Sequence, residues 1–146
     1  MPRSYWLVKS EPYKYSFAQL QKDRRTTWDG VRNFEARNSM RAMKRGDLLL
    51  FYHSNEGKSV VGVARVEREA YPDVTAPDED WSAVDIAPVA ALVSPVGLDE
   101  IRSDPALADI ALLKRSRLSV VPISKAHFDH ILALGKTKLR LKVDNA

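Results

Sequence analysis

Three pairs of polar residues stand at the ends of predicted strands and helices, and their chemistry suits the recognition of a nucleobase. Ser10-Glu11 follows the first strand, Arg32-Asn33 opens the second helix, and His53-Ser54 closes a later strand. A carboxylate accepts a hydrogen bond from an exocyclic amine, and Arg or Asn donates to a ring nitrogen or carbonyl. If the pairs converge on one mouth, they can read the Watson–Crick edge of an extruded base. Each pair alone also fits a cap, a turn or an exposed residue.

Aromatic side chains are concentrated in the first half of the chain, interleaved with lysine and arginine. Ten of the twelve lie between Tyr5 and Tyr71. Such clusters stack bases while nearby cations hold the phosphates. Three of the rings are better explained as core residues, namely Phe17, Phe34 and Phe51. Trp28 lies in a polar stretch where its ring has no periodic apolar partner, and it is therefore the candidate for a stacking surface.

Charge is distributed unevenly along the chain. Residues 1–70 carry 14 basic and eight acidic side chains, and residues 71–100 carry seven acidic side chains and no Lys or Arg. Residues 101–146 carry nine basic and four acidic side chains. Two basic segments flanking an acidic one favour a protein that presents a positive surface to a polyanion such as nucleic acid. Ordinary solubility charge explains the same counts equally well.

Several classes of protein are excluded by residues and motifs that the sequence lacks. Without cysteine, the chain has no disulfide framework, thiolate zinc site, iron–sulfur cluster or cysteine nucleophile. It also has no Gly-rich phosphate loop, His-Glu-x-x-His motif or nucleophile elbow, so we expect no cofactor. His127 and His130 share one predicted helix, but a metal ion would need a third ligand from elsewhere, and we predict no metal site.

The length of 146 residues is that of one domain. No stretch approaches the roughly 20 apolar residues of a membrane span, and the N-terminus has no apolar run before a cleavage site. We therefore expect no contact with a membrane and a cytoplasmic location.

Hydrophobic periodicity and capping residues predict an α+β domain over residues 1–146, without a βαβ rhythm. The predicted strands are Tyr5–Lys9, Leu48–His53, Ser59–Glu69, Trp81–Leu92 and Leu118–Val121. The predicted helices are a short one from Ser16 to Asp23, a second from Asn33 to Lys44, two short ones near Leu98–Arg102 and Ala106–Leu113, and one capped by Ser124. The segment Trp28-Asp29-Gly30 is predicted to form a turn.

Several separated motifs together resemble the EVE domain family. In the first half of the chain these are Tyr5–Pro12, Trp28–Asn33 with Ala36–Asn38, Gly46-Asp47, Phe51–Ser54 and Tyr71–Asp73. The likeness continues through Trp81, Val84-Asp85, Pro95-Val96, Leu98 and Arg117–Val120, so it covers roughly Tyr5 to Leu134. Phe128 occupies a place where the family carries a tryptophan, but its helix is predicted to pack in the core.

The resemblance implies a PUA-like mixed β-barrel of about five to six strands flanked by short helices, related to the YTH and ASCH domains. It implies a module that binds a modified base in nucleic acid, with modified cytosine in DNA as the usual proposal. The implied pocket has Trp28 as its aromatic wall and Ser10 and Glu11 at its rim. Its other members are Arg32 and Asn33 beside the wall, His53 and Ser54 opposite, and Tyr71 and Asp73 as further candidates.

Affinity in such a module comes from phosphate contacts, for which the outward face of the second helix offers Arg37, Arg41 and Lys44. Many relatives fuse the domain to a nuclease or ATPase, so here an effector would be a separate protein. Two alternatives stay open: a PUA-like protein that binds RNA, and an enzyme that acts on a modified base or nucleotide. In the enzyme, Glu11 or Asp29 would be the general acid or base, although no second catalytic group is evident.

Overall fold

Six strands form one mixed sheet in the computed structural model, which describes residues 3–78 and 80–139. The strands are β1 (Tyr5–Ser10), β2 (Thr26–Trp28), β3 (Leu48–His53), β4 (Ser59–Pro72), β5 (Ser82–Gly97) and β6 (Val120–Ile123). Their order across the sheet is β2-β5-β4-β3-β1-β6. β1 and β3 run parallel, and the other neighbours are antiparallel. The predicted α+β class and strand number are confirmed.

Helices cover both faces of the sheet because its central strands are apolar on both sides. The helices are α1 (Phe17–Asp23), α2 (Phe34–Ala42), α3 (Leu98–Ser103), α4 (Ala111–Lys114) and α5 (Lys125–Leu134), with a 3₁₀ turn at Pro105–Leu107. Trp6 and Val8 of β1 join one buried cluster with α1 and α2, whereas Leu7 joins a second cluster with α3 to α5. This alternation follows from the two-residue period of a strand.

Local capping signals place the helix starts as predicted. Ser16 Oγ accepts the amide N–H of Gln19, Asn33 Oδ1 accepts that of Ala36, and Ser124 Oγ accepts that of His127. Each cap satisfies an amide that the helix itself leaves unpaired.

Trp28 is wrongly predicted to lie in a turn. It ends the three-residue strand β2, which pairs antiparallel with β5 so that Trp28 lies opposite Val84. The strand is short and polar, and it exists because a partner distant in sequence supplies its hydrogen bonds.

Phe34 is wrongly predicted to be a core residue, since its side chain is 58% exposed. It is the first residue of α2 and stacks on Trp81, with ring centroids 5.0 Å apart. The other two core predictions, Phe17 and Phe51, are confirmed, as is the burial of Phe128.

Several elements end elsewhere than predicted: β1 reaches Ser10, β4 reaches Pro72, β6 is displaced to Val120–Ile123, and the helix expected near Ala106–Leu113 is a 3₁₀ turn followed by α4. Two further differences have a visible cause. α2 ends at Ala42 instead of Lys44, and the amide of Lys44 donates to the buried carboxylate of Asp47. β5 continues past Leu92 to Gly97 because a register shift between Ala91 and Val96 accommodates the intervening residues. A bulge of this kind tolerates proline within a strand.

Candidate nucleic-acid interface

The C-terminal ends of β1 and β3 and the segment before β6 meet where these strands end, because β1 pairs with both β3 and β6. We refer to this place as one edge of the sheet. The parallel pairing of β1 and β3 sets Ser10 opposite His53, and the Ser54 amide donates to the Ser10 carbonyl at 2.9 Å. β6 runs antiparallel to β1, which brings the segment before it to the same edge. The Lys9 amide donates to the Ser119 carbonyl at 2.9 Å.

A cavity of about 570 Å³ opens at this edge, and we name it the base cavity. Five of the predicted pocket residues line it, namely Ser10, Glu11, Trp28, Arg32 and Ser54. Four predicted residues, Asn33, His53, Tyr71 and Asp73, are absent from its lining. Of the three polar pairs expected to meet at one mouth, Ser10-Glu11 lies wholly in the lining, and the other two contribute one residue each, Arg32 and Ser54.

Trp28 forms a half-buried wall of the base cavity. Its ring meets Phe51 edge to face at a centroid distance of 5.6 Å and an interplanar angle of 81°. Tyr15, which also lines the cavity, meets the same ring at 6.4 Å and 80°. Edge-to-face contacts of this kind fix the plane of an indole, so the wall is held by two other rings.

Glu11 lines the base cavity, but its carboxylate already has three donors from the protein. Tyr13 Oη donates at 2.8 Å, Lys14 Nζ lies at 3.0 Å, and Asn55 Nδ2 also donates. Hydrogen bonds from Lys14 and Tyr13 are the main causes that lower the pKa of Glu11. The group is therefore a carboxylate at neutral pH, which suits an acceptor and disfavours a general acid.

Two charged side chains of the base cavity make no hydrogen bond or ion pair, to side chain or backbone, anywhere in residues 3–78 and 80–139. They are Asp29, which follows the Trp28 wall, and Arg117, which precedes β6. A carboxylate provides about four lone-pair positions and a guanidinium five donors, so both groups keep their full hydrogen-bonding capacity for a ligand.

Asp73 lies behind the wall and holds its loop in place. Its fully buried carboxylate accepts hydrogen bonds from the Gly30 amide and Arg32 Nη1, each at 2.9 Å, and from both the amide and hydroxyl of Thr75. Burial by itself would raise the pKa of Asp73, but these donors outweigh it and lower the pKa to about 2. Asp73 thus positions the segment that carries Arg32 into the cavity wall.

The other three predicted residues outside the lining support neighbouring elements. Asn33 caps α2, and His53 Nε2 accepts the amide N–H of Phe17 at 3.1 Å. Burial lowers the pKa of His53, in keeping with a neutral ring that accepts. The Tyr71 hydroxyl donates a hydrogen bond to Asp85, while the Arg68 guanidinium carbon lies 3.8 Å from the centroid of the Tyr71 ring.

The predicted phosphate-binding residues of α2 differ in how far the protein already uses them. Arg37 and Arg41 both donate to the carbonyl of Asp80, at 3.0 and 2.9 Å, and Arg41 also donates to the Ser82 hydroxyl. The Arg37 guanidinium lies 4.7 Å from the Phe34 ring centroid. Lys44 is exposed. The prediction that these three residues bind phosphate stays a prediction.

Sequence reasoning missed several members of the cavity. They include Lys9, Tyr15, Asn55 and the segment 116–119. The parallel pairing of β1 with β3 was the missing signal for Asn55, because it places the turn after β3 beside the end of β1. For residues 116–119 the motif Arg117–Val120 was recognisable, but only the β1–β6 pairing places it at the cavity.

No metal-binding cluster of three or more His, Asp or Glu side chains occurs in residues 3–78 and 80–139. His130 pairs with Asp104 at 2.6 Å and His127 with Asp109 at 3.2 Å, so each histidine of α5 faces a single carboxylate. Across the same ranges, every helix falls short of the length and hydropathy needed to span a membrane.

Comparisons with known proteins identify relatives in sequence and in fold. Mouse thymocyte nuclear protein 1 is 36% identical over 169 aligned positions, which cover 92% of this chain and 75% of that protein. A hypothetical protein from Leishmania major has a solved structure with a TM-score of 0.89 and 41% identity, covering 92% of this chain and 96% of that one.

A crystal structure of the human thymocyte nuclear protein 1 contains DNA with 5-methylcytosine. It matches with a TM-score of 0.86 and 34% identity over 92% of this chain and 99% of that one. These matches confirm the PUA-like α+β fold. The sequence profile of the EVE domain matches residues 4–134, and the chain therefore belongs to the EVE domain family.

Proposed function

We propose that this protein binds nucleic acid by accepting one extruded, modified base, with a modified cytosine in DNA as the favoured ligand. The observation that carries the proposal is the base cavity, whose lining combines the half-buried Trp28 ring with the unpartnered Asp29 and with Arg32. An aromatic wall stacks a base, and polar groups at its rim read the base edge. The human relative solved with 5-methylcytosine DNA supports this choice of ligand.

Two carboxylates of the cavity compete for the role of amine acceptor. Glu11 was predicted from its position after β1, but three protein donors already occupy its oxygens. Asp29 has no such donors in the described ranges and can accept the exocyclic amine of a cytosine or adenine without displacing any. We therefore expect Asp29→Asn to reduce discrimination between bases more than Glu11→Gln does, by about 1–3 kcal/mol for the stronger contact.

A reader without catalytic activity fits the chemistry of the cavity better than an enzyme. Its two carboxylates lack a partner nucleophile, and the hydrogen bonds on Glu11 disfavour the protonated form that a general acid needs. Any chemical consequence of binding would come from a separate effector protein. We place the protein in the cytoplasm, as its sequence suggests.

The decisive experiment is a binding titration at one stated salt concentration. The probes are 11-nucleotide single strands that differ only at the central position, which carries cytosine, 5-methylcytosine or no base, each as DNA and as RNA. A methyl group adds only about 1 kcal/mol of apolar contact, so a preference of a fewfold for 5-methylcytosine is expected. The strand that lacks a central base should bind more weakly than either base-containing strand.

The same titrations separate the alternatives. If the strand lacking a central base binds as tightly as the others, no base enters the cavity and the proposal is wrong. Tighter binding of the RNA strands would identify an RNA-binding protein. Nucleoside analysis of the DNA after prolonged incubation tests catalysis, since any loss of 5-methylcytosine would identify an enzyme.

A further inference from the structure

A second cavity of about 430 Å³ adjoins the base cavity, and we name it the flanking cavity. The two share a wall formed by Lys9, Ser54, Asn55 and Ser116. The apolar surface of the flanking cavity comes from three leucines. Leu98 begins α3, and Leu112 and Leu113 lie in α4. The two cavities are therefore neighbours, and one extended ligand can contact both.

The flanking cavity is lined by cations and by no described carboxylate. Lys58 is exposed and has no acidic partner in residues 3–78 and 80–139. Arg102 lies 3.8 Å from Asp99, whose side chain is fully exposed. An exposed pair at that distance is worth little, so both cations are available to an anion.

A buried phenol adds an unused donor to the same cavity. Tyr52 is only 4% exposed, lines the flanking cavity, and its hydroxyl makes no hydrogen bond within residues 3–78 and 80–139. Burial raises the pKa of this phenol, and the charge of Arg102 partly opposes that rise, so the hydroxyl keeps its proton at neutral pH. Every buried side-chain polar atom of the described residues has a hydrogen-bond partner, so the unpaired hydroxyl oxygen is itself accessible and can be reached from the cavity.

Lys9 stands on the wall between the two cavities. Its Nζ donates to the Ser116 carbonyl at 2.8 Å, which fixes the ammonium there and uses one of its three donors. The turn after β3 is fixed as well, because the Leu98 amide donates to the Lys58 carbonyl at 2.8 Å. The Lys9 ammonium is thus fixed between the two cavities, and the backbone that carries Lys58 is fixed beside them.

We infer that the flanking cavity binds the nucleotide next to the extruded base. Lys9, Lys58, Arg102 and the Tyr52 hydroxyl hold the phosphodiester that links the two nucleotides, and the leucines contact the sugar and base of the neighbour. Ionic donors recognise phosphate by charge-assisted hydrogen bonds, and apolar side chains accept a sugar or base face without sequence preference. This inference rests on the proposed function, because it takes the first base to lie against Trp28.

The test is a thermodynamic cycle between the protein and one phosphodiester. The probe is the 11-nucleotide DNA strand with central 5-methylcytosine, in which the linkage on one side of that residue, and then the other, is replaced by an uncharged methylphosphonate. We expect wild-type protein to bind one of the two probes about tenfold more weakly than the native strand, because a charge-assisted contact is lost.

The variant Lys58→Gln/Arg102→Gln should bind the native strand about tenfold more weakly than wild type does. It should lose nothing further when the same linkage is uncharged. Tyr52→Phe, which removes only the hydroxyl from a buried position, should show a smaller loss with the same lack of additivity. Lys22→Gln, an exposed lysine of α1 outside both cavities, is the matched control and should bind like wild type.

Two outcomes would overturn the inference. One is that neither methylphosphonate weakens wild-type binding, a result that needs no variant to fold. The other is that the loss of affinity caused by the double variant and the loss caused by the uncharged linkage multiply, which would show that the two changes act independently. The strand lacking its central base is measured in the same series and tests the proposed function separately. If that strand binds weakly while the cycle is additive, the base cavity is right and the flanking cavity is wrong.

Discussion

Two cationic regions of the molecule use their charged side chains in opposite ways. On α2, the guanidiniums of Arg37 and Arg41 are bound to the carbonyl of Asp80 and the hydroxyl of Ser82. Around the two cavities, Lys58 and Arg117 have no side-chain partner in the ranges that the structure describes. The comparison teaches that a count of basic residues does not locate a phosphate-binding surface, whereas their existing partners do.

The carboxylates differ in the same way between these regions. Asp73 and Asp85 are buried and receive several donors each. Asp73, which follows β4, holds the loop after Trp28, and Asp85 of β5 holds the strand that ends at Trp28. Asp29 at the cavity receives none within the described ranges. Side chains whose hydrogen-bonding positions are filled by other protein groups hold the scaffold together, and we call them saturated groups. Side chains without such partners face the ligand.

The largest effect, a loss of stability, is expected when a saturated carboxylate is removed. Asp73→Ala removes the acceptor of two amides, one guanidinium and one hydroxyl. Breaking a buried charged network leaves its donors unpaired, so the free energy of unfolding should fall by about 3 kcal/mol. Urea denaturation measures this loss. Asp78→Ala, an exposed aspartate of the same segment, is the control, and an equal loss there would show that Asp73 has no special role.

The same residue gives an acid-sensitive component of stability. Its folded-state pKa of about 2 lies below the unfolded value near 3.8, so its contribution is fully present above pH 4 and is lost as the pH falls towards 2. The shift corresponds to at most about 2 kcal/mol. Unfolding of wild type and Asp73→Asn should therefore converge in stability between pH 4 and 2. Parallel curves over that interval would contradict the assignment.

Trp28→Ala should have the next largest effect, which is a loss of affinity for the base-containing strands. Removing a stacking surface costs about 1–3 kcal/mol per base, whereas the strand that lacks a central base should bind the variant as it binds wild type. Because the ring is half-buried against Phe51 and Tyr15, the free energy of unfolding should fall less than the roughly 3–5 kcal/mol of a fully buried tryptophan.

Phe34→Ala is the matched control for Trp28→Ala. It removes an exposed ring that belongs to the α2 region and lies outside the base cavity. Isothermal titration of both variants with the 5-methylcytosine strand should show a loss only for Trp28→Ala. Equal losses would place the stacking surface on α2 and break the comparison.

Arg117→Gln and Arg41→Gln compare the cationic regions directly. Losing one phosphate contact to a single strand lowers the slope of log Kd against log salt by about 0.7. We expect this change for Arg117→Gln with no change in melting temperature. Arg41→Gln should leave the slope unchanged and lower stability slightly, through its lost bonds to Asp80 and Ser82. The reverse result would support the original prediction that α2 binds phosphate.

Much of the fold was predictable because its signals are local. Ser16, Asn33 and Ser124 cap their helices as expected, and the apolar run Leu48–His53 is a strand with the predicted bounds. β2 was missed because its three residues become a strand only by pairing with β5, more than 50 residues away in sequence. Non-local pairing leaves no periodic signal in a short polar segment.

The candidate site was predictable to the extent that its residues end strands. Ser10 ends β1 and Ser54 follows β3, and because these strand ends lie side by side, their convergence needs only the parallel pairing of β1 and β3. By its chemistry alone, Asp73 could be a hydrogen-bond acceptor at the rim of a pocket. Only its burial and its four donors show that it holds the cavity wall from behind. Sequence gives the chemistry of a side chain, but not which of its bonds are already made.

The smallest effect is expected from His53, a saturated group directly behind the cavity. Its Nε2 accepts the first amide of α1, and burial lowers its pKa. A lowered pKa means that the unfolded chain binds the proton more tightly, so stability should fall as the pH drops below about 6.5. His53→Gln keeps an acceptor that does not titrate. Because His53→Gln leaves the rest of the chain unchanged, the difference in unfolding between wild type and variant from pH 7 to pH 5 isolates His53. Wild type should lose stability relative to the variant over that interval, and a constant difference would show that the ring does not hold α1 through its unprotonated nitrogen.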